Sequence, residues 1–247
     1  MKNEQLANYS RRVLKLEGFK NIRDMGGLNA RDQQTTGFKK YLRSDNPLTV
    51  SPESLSFLLE YGLGADLDLR TFTEAELRPD IIAQQASVDY KHVSLIDAVY
   101  ETHKFTDGHA HNFSMSDLYI SFFEEGKKAI KACFDFFWEH RAKTVLFHCS
   151  QGKDRTAVIA MLLLKLAGCS NKIIVDDYMC TNFSIEALTE NIFMGRNFDF
   201  KMLAVKRAYM EKTLKFFDRK YKNPEHYFIS ADISADKIYQ LKKYILE

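Results

Sequence analysis

A chain of 247 residues, 45% hydrophobic and 28% charged, has the balance of a globular protein and enough length to bury a full core. Its 35 basic and 33 acidic residues leave a formal net charge of +2, which excludes the strong field of a nucleic-acid or anionic-membrane binder; the basic pairs Arg11-Arg12, Lys39-Lys40 and Lys127-Lys128 are short, scattered and read as solvated surface. No apolar leader opens the chain and the longest apolar run, Ala157 to Leu164, stops at Lys165, so the expectation is a cytoplasmic protein with no stable membrane insertion.

In chain order, the first expected strand is Phe38 to Arg43. A helix follows, with Ser51 as N-cap, Pro52 in its first turn, an apolar face from Leu55, Leu58 and Leu59, and Gly62 as terminator. Ala65 to Arg70 and Val88 to Val93 read as further strands. Asp97 to Ser116 has no clean period and reads as a long loop, the kind that often serves as a lid. Leu118, Phe122, Ile130, Phe134 and Phe137 recur at helical spacing, predicting one amphipathic helix from about Asp117 to His140, its aromatics in the core. Thr144 to Phe147 is a short β-rich run, Thr156 to Ala167 a helix stopped by Gly168, and the chain from Lys172 onward mostly helical. No repeat or linker interrupts this order. It predicts one compact α/β domain, a central mostly parallel sheet flanked by helices with a helical C-terminal part.

Four cysteines, at 133, 149, 169 and 180, have no zinc-like pairing and are too few for a disulfide scaffold. Cys133 and Cys169 sit in apolar helical surroundings and read as inert. Cys149 stands in His148-Cys149-Ser150-Gln151-Gly152-Lys153-Asp154-Arg155-Thr156. A cysteine with an arginine six residues later is weak evidence by itself. Here an apolar strand feeds the segment and a helix begins where it ends, so the loop amides of Ser150 to Arg155 and the helix dipole converge on one point. Such a nest suits a phosphate, and it lowers the pKa of a thiol placed in it. Gly152 allows the tight turn, Arg155 offers a planar fork to two phosphate oxygens, and Lys153 adds a second cation. The chemistry expected is attack by Cys149 on phosphorus, protonation of the leaving oxygen by a general acid, and hydrolysis of the phosphocysteine. Thr156 is placed to steady the departing thiolate, and His148 to orient the loop. The competing readings are a buried inert thiol, a phospho-binding module without turnover, and a rhodanese-like sulfurtransferase.

HCSQGKDRT resembles the signature of the protein tyrosine phosphatase superfamily, and its Lys-Asp pair resembles the bacterial branch of tyrosine and phosphoinositide phosphatases, with loops of the form HCxxGKDRTG. NIRDMGG (21–27), YLRSDNP (41–47), DLRTFTEAELRPD (68–80) and IIVDDYMCTN (173–182) resemble further blocks of that branch in the same order, from about Phe19 to the end, leaving 1–18 as an N-terminal extension. The resemblance implies a phosphatase-type α/β fold, no metal or other cofactor, and phosphorylated protein or phosphoinositide as partner: phosphotyrosine first, then phosphoserine, phosphothreonine and phosphoinositides. Cys149 and Arg155 carry over as catalytic residues, and Ser150, Gln151, Gly152, Lys153 and Asp154 as phosphate-loop residues, with Asp154 the usual general acid of this branch. Ala157 departs from the family's glycine.

Rival acids lie in the expected loop: Asp97 and Asp107, with His103, His109 and His111 nearby. Their spacing matches no recognised metal-ligand pattern. Asp24, Asp68, Arg70 and Arg43, inside the other blocks, are expected to brace the phosphate loop by buried hydrogen bonds.

Overall fold

Alternation along the strands sends successive side chains into two different cores. In the computed structural model, which describes residues 9–102, 114–184 and 204–247, five strands form one sheet in the order β1-β2-β5-β3-β4. They are β1 (Arg23–Asp24), β2 (Tyr41–Ser44), β3 (Leu63–Asp68), β4 (Asp89–His92) and β5 (Thr144–His148). Only the β1–β2 pair is antiparallel. Tyr41, Ala65, Leu67, Val145 and Phe147 enter the larger core on one face, while Leu42 and Leu146 enter a smaller core on the other, joined by Leu63 across the register irregularity between Leu63 and Ala65.

The smaller core is closed by α1 (Pro52–Tyr61), whose N-cap Ser51 accepts from the Ser54 amide and whose end is set by Gly62 at φ +111°. The larger core is covered by α5 (Lys127–Glu139) and α6 (Arg155–Leu166), with α4 (Met115–Glu124), α7 (Asn171–Met179), α8 (Arg207–Tyr221), α9 (Pro224–Ser230) and α10 (Ala235–Leu246) around them. Every residue of α6 except Lys165 is buried, which explains why its sequence is apolar all round. Ala157 is among them.

Three departures from the sequence expectations have local causes. The helix expected over 117–140 is two helices, α4 and α5. Between them stands Gly126, where an added Cβ would lie 2.3 Å from the Phe122 carbonyl oxygen, so the chain can turn there only because no side chain is present. The loop expected from Asp97 begins instead as helix α3 (Leu95–Thr102). Inside the 68–80 block lies an unexpected short helix, α2 (Phe72–Leu77), started by a capping box between Thr71 and Glu74.

No described helix is long and apolar enough to cross a membrane. Parallel β2 and β3 flank β5, and Ser44, Asp68 and His148 pair at its end. The carboxyl ends of three central strands thus open at one place, where open α/β sheets bind ligands.

Candidate active site

The loop of residues 149–154 joins β5 to α6 at that place. Gly152 has φ +64°, and a Cβ on it would come within 2.4 Å of the Ser44 carbonyl oxygen; both conformation and clearance require glycine. Asn21 Nδ2 donates to the carbonyls of Gln151 (3.0 Å) and Gly152 (3.3 Å), Arg43 donates to Gly152 (2.8 Å), and the Asn46 amide donates to Ser150 (3.3 Å). Three successive loop carbonyls are thus held by surrounding protein.

Cys149 is only 2% exposed. Burial alone would raise its pKa, but the Arg155 charge and the Thr156 hydroxyl and amide outweigh it, and the thiol sits below its ordinary value. The fully buried Thr156 hydroxyl makes no other hydrogen bond among the described residues. Arg155 is held by Glu74 of α2: its Nη1 lies 2.5 Å from Oε2 and its Nη2 3.0 Å from Oε1. Ser150 Oγ donates to the same carboxylate. Partial burial works against ionisation of Glu74, yet the Arg155 guanidinium brings its pKa down to about 2. Glu74 was not singled out from sequence; the signal for it was the Thr71-x-x-Glu74 capping-box spacing.

His148 is fully buried behind the loop, with Nε2 2.8 Å from Asp80 Oδ2 and 3.6 Å from Asp66 Oδ1, and Nδ1 4.0 Å from Asp68 Oδ1. Although burial opposes its charge, the three carboxyls raise its pKa to about 10, so it is an imidazolium at neutral pH. Burial and the neighbouring Asp80 push Asp66 up. Asp66, Asp80 and His148 are the one group among the described residues with metal-ligand spacing. An imidazolium has no lone pair to give a metal, and this donor set reads as a protonated ion-pair cluster.

A second charged cluster lies behind the loop. Asp177 of α7 receives Arg12 (2.8 Å), Arg23 (3.1 Å) and Arg43 (2.6 Å), with all four side chains at 2% exposure or less. Burial opposes ionisation of Asp177, but the three guanidiniums hold its carboxyl far below the usual range. Arg43 thereby links Asp177 to the Gly152 carbonyl. Arg12 lies in the segment expected to be a mere extension.

Asp24 and Arg70 are placed differently from expectation. The Asp24 carboxylate accepts from the amides of Gly26 (2.6 Å) and Lys39 (2.9 Å) and from Tyr61 Oη (2.8 Å), bracing the turn before β2 and not the phosphate loop. Arg70 grips Asp68 (2.6 Å) and the Arg78 carbonyl (2.5 Å), framing α2, and among the described residues reaches the loop indirectly, through Asp68 beside His148 and through the Glu74 carbonyl (3.5 Å).

Asp154 is the N-cap residue of α6 but makes no side-chain cap hydrogen bond. Its Oδ1 accepts from Tyr119 Oη at 2.5 Å, and its Oδ2 lies 3.5 Å from the buried Lys153 Nζ. Of the rival acids, Asp97 accepts from the Phe72 amide at the start of α2 (3.2 Å). His103, Asp107, His109 and His111 lie outside the described residues.

Cys149, Arg155 with Glu74 on its fork, Lys153 and Asp154 thus gather around one strand–loop–helix turn. The family model described as "Tyrosine phosphatase family" matches residues 14–247. The chain belongs to the tyrosine phosphatase family. It is 33% identical to a tyrosine-protein phosphatase of Nostoc commune over 134 residues, 52% of this chain and 44% of that protein. It is 24% identical to a putative tyrosine-protein phosphatase of Cupriavidus necator over 232 residues, 90% of this chain and 84% of that protein. A triple specificity protein phosphatase of Mycobacterium tuberculosis is 26% identical over 122 residues, 42% of this chain and 44% of that protein. The aligned part thus spans less than half the length of the Nostoc and Mycobacterium relatives.

Proposed function

We propose that the protein hydrolyses phosphate monoesters through a phosphocysteine, as a member of the bacterial tyrosine and phosphoinositide phosphatase branch. The observation that carries this reading is Cys149, buried yet held below the ordinary thiol pKa by Arg155 and Thr156 where the loop of residues 149–154 leads into α6.

The Cys149 thiolate attacks phosphorus in line, forming the S–P bond as the P–O bond to the leaving group breaks. Asp154 gives its proton to the leaving oxygen. A water then attacks phosphorus, Asp154 takes the water's proton, and the S–P bond breaks to return a thiolate that Thr156 steadies. Arg155 follows the equatorial oxygens through both steps, its plane fixed by Glu74. No general base is needed for a thiol that ionises on its own. Lys153 supplies the second cation suited to highly charged esters.

The substrate class is phosphorylated protein, phosphotyrosine first, with phosphoserine, phosphothreonine and phosphoinositides as the wider range. Neither the phospho-binding nor the sulfurtransferase reading gains an observation of its own.

Cys149→Ser is expected to lower turnover of an aryl phosphate by at least about 10⁴-fold while the variant still binds oxyanions. Turnover near the parent level would overturn the mechanism. A panel of phosphopeptides and phosphoinositides assayed with the parent protein ranks the substrates.

A further inference from the structure

The polar chain behind Asp154 is the feature that the mechanism leaves unused. Tyr119 of α4 and Tyr178 of α7 are both almost fully buried, at 0% and 1% exposure. Tyr119 Oη lies 2.5 Å from Asp154 Oδ1 and 2.9 Å from Tyr178 Oη. We propose that Tyr119, backed by Tyr178, is a positioning residue that fixes Asp154 Oδ1 and so reserves Oδ2 for the transferable proton. This rests on the reading of Asp154 as the general acid.

The direction of the chain follows from counting protons. A phenol has one hydrogen to donate. Burial holds both tyrosines above the ordinary phenol value, with the Asp154 charge adding to the effect on each. Both therefore keep their protons. Tyr119 spends its single hydrogen on Asp154 Oδ1, so its lone pair is what Tyr178 can donate to. The order is Tyr178 to Tyr119 to Asp154, and no step of it is reversible without breaking a buried hydrogen bond.

Two consequences follow for Asp154, whose side chain is 25% exposed and does not cap its own helix. The first is orientation. With Oδ1 bound from the protein interior, rotation of the carboxyl is stopped and Oδ2 stays on the side of Lys153 Nζ. The second is which oxygen is left to act: with Oδ1 taken by the Tyr119 hydroxyl, Oδ2 is the oxygen left to hold the transferable proton. The charged and titratable groups facing Asp154 are Tyr119 from α4, Lys153 and Cys149 from the loop, Arg155 at the start of α6, and Tyr178 from α7 one bond behind. Tyr178 is faced in turn by Tyr209 of α8 and Arg43 of β2. Among these, Tyr119 is the neutral donor, and it can be removed by deleting one oxygen.

The test is kcat of the parent, Tyr119→Phe, Tyr178→Phe and Asp154→Asn on aryl phosphates of graded leaving-group pKa. Tyr119→Phe is expected to slow esters with poor leaving groups about tenfold and those with good leaving groups less than about twofold. Tyr178→Phe is expected to give the same pattern at smaller amplitude. Equal loss on all leaving groups makes Tyr119 a packing residue and overturns the proposal, as does no loss. Should Tyr119→Phe fail to fold, equal loss on all leaving groups in Tyr178→Phe overturns it in the same way. Asp154→Asn separates the two readings. If it shows no leaving-group dependence, the acid assignment fails and takes the proposal with it; if it does and Tyr119→Phe does not, only the proposal fails.

Discussion

Two arginine–carboxylate clusters sit on opposite sides of the phosphate loop, built from the same chemistry and differing in burial and in number. In front, one carboxylate, Glu74, holds one guanidinium, Arg155; the acid side chain is 35% exposed and stands on the six-residue helix α2. Behind, one carboxylate, Asp177, holds three guanidiniums with the acid at 1% exposure. The front pair leaves its arginine beside Cys149, where, on the proposed reading, a phosphate's oxygens share the fork. The rear cluster has no access for a ligand, and its surplus of cations is fixed in place behind the loop. On the proposed reading, the exposure of the carboxylate separates the arginine that meets substrate from those that serve the fold.

The sharpest way to break this contrast is to make one substitution in both places. Arg155→Lys keeps the charge and loses the planar fork, so kcat/KM on an aryl phosphate is expected to fall by about 10³-fold or more, roughly 4 kcal/mol, with a melting temperature within about 2 °C of the parent. Arg23→Lys is expected to do the reverse, lowering the melting temperature first. If both lose activity alike at unchanged stability, the division into a working and a structural cluster is wrong.

Asp177→Asn comes next. It leaves three buried guanidiniums without their anion and is expected to lower unfolding free energy by about 3–4 kcal/mol in a urea titration. A loss below about 1 kcal/mol would mean that other partners already neutralise the arginines.

The imidazolium of His148 gives a third test on the loop side. Its folded pKa of about 10 lies above the unfolded value, so its contribution is complete below about pH 6.5 and is lost as pH rises toward 10. Unfolding free energy is expected to fall by roughly 2–3 kcal/mol between pH 6.5 and 8.5, measured in Cys149→Ser so that the thiolate does not titrate. The Asp177 carboxyl, held far below this range, contributes nothing to the slope. A flat profile would show that His148 is neutral in the fold.

The sequence exposes the front of the site better than its rear for a physical reason. Cys149 to Thr156 is contiguous, so its chemistry can be read along the chain, and β5 and α6 that frame it follow simple apolar patterns. The partners that hold it are far away in sequence: Asn21, Arg43, Glu74 and Asp177 converge only once the sheet has formed. Asp24 and Arg70 illustrate the limit. Both stand in blocks that resemble family motifs, and both are buried, but which backbone each carboxylate or guanidinium reaches is set by the turns beside it. Strands β2 to β5 were legible as short strand-like runs and the two-residue β1 was not, while the break at Gly126 and the short helix α2 hinge on a single steric contact and a single cap. Tyr119 shows a helical residue whose hydroxyl gains meaning only from the loop it meets.

Glu74→Gln carries the smallest expected effect and sharpens the comparison most. The amide keeps the length of the side chain and one acceptor oxygen, so α2 and its contact with Ser150 are retained in outline, while the charge that orients Arg155 is gone. If Glu74 acts by fixing the plane of the guanidinium, kcat is expected to fall about tenfold, near 1.4 kcal/mol, while inorganic phosphate inhibits at least as well as in the parent, because the fork is freer to meet it. The acid limb of the pH profile adds a second reading. Glu74 at about 2 is ionised throughout the working range, so its removal is not expected to move any limb. A parallel loss of kcat and phosphate affinity would show instead that Glu74 builds the anion site itself. The front cluster would then be structural in the same sense as the rear one, with exposure no longer the property that separates them.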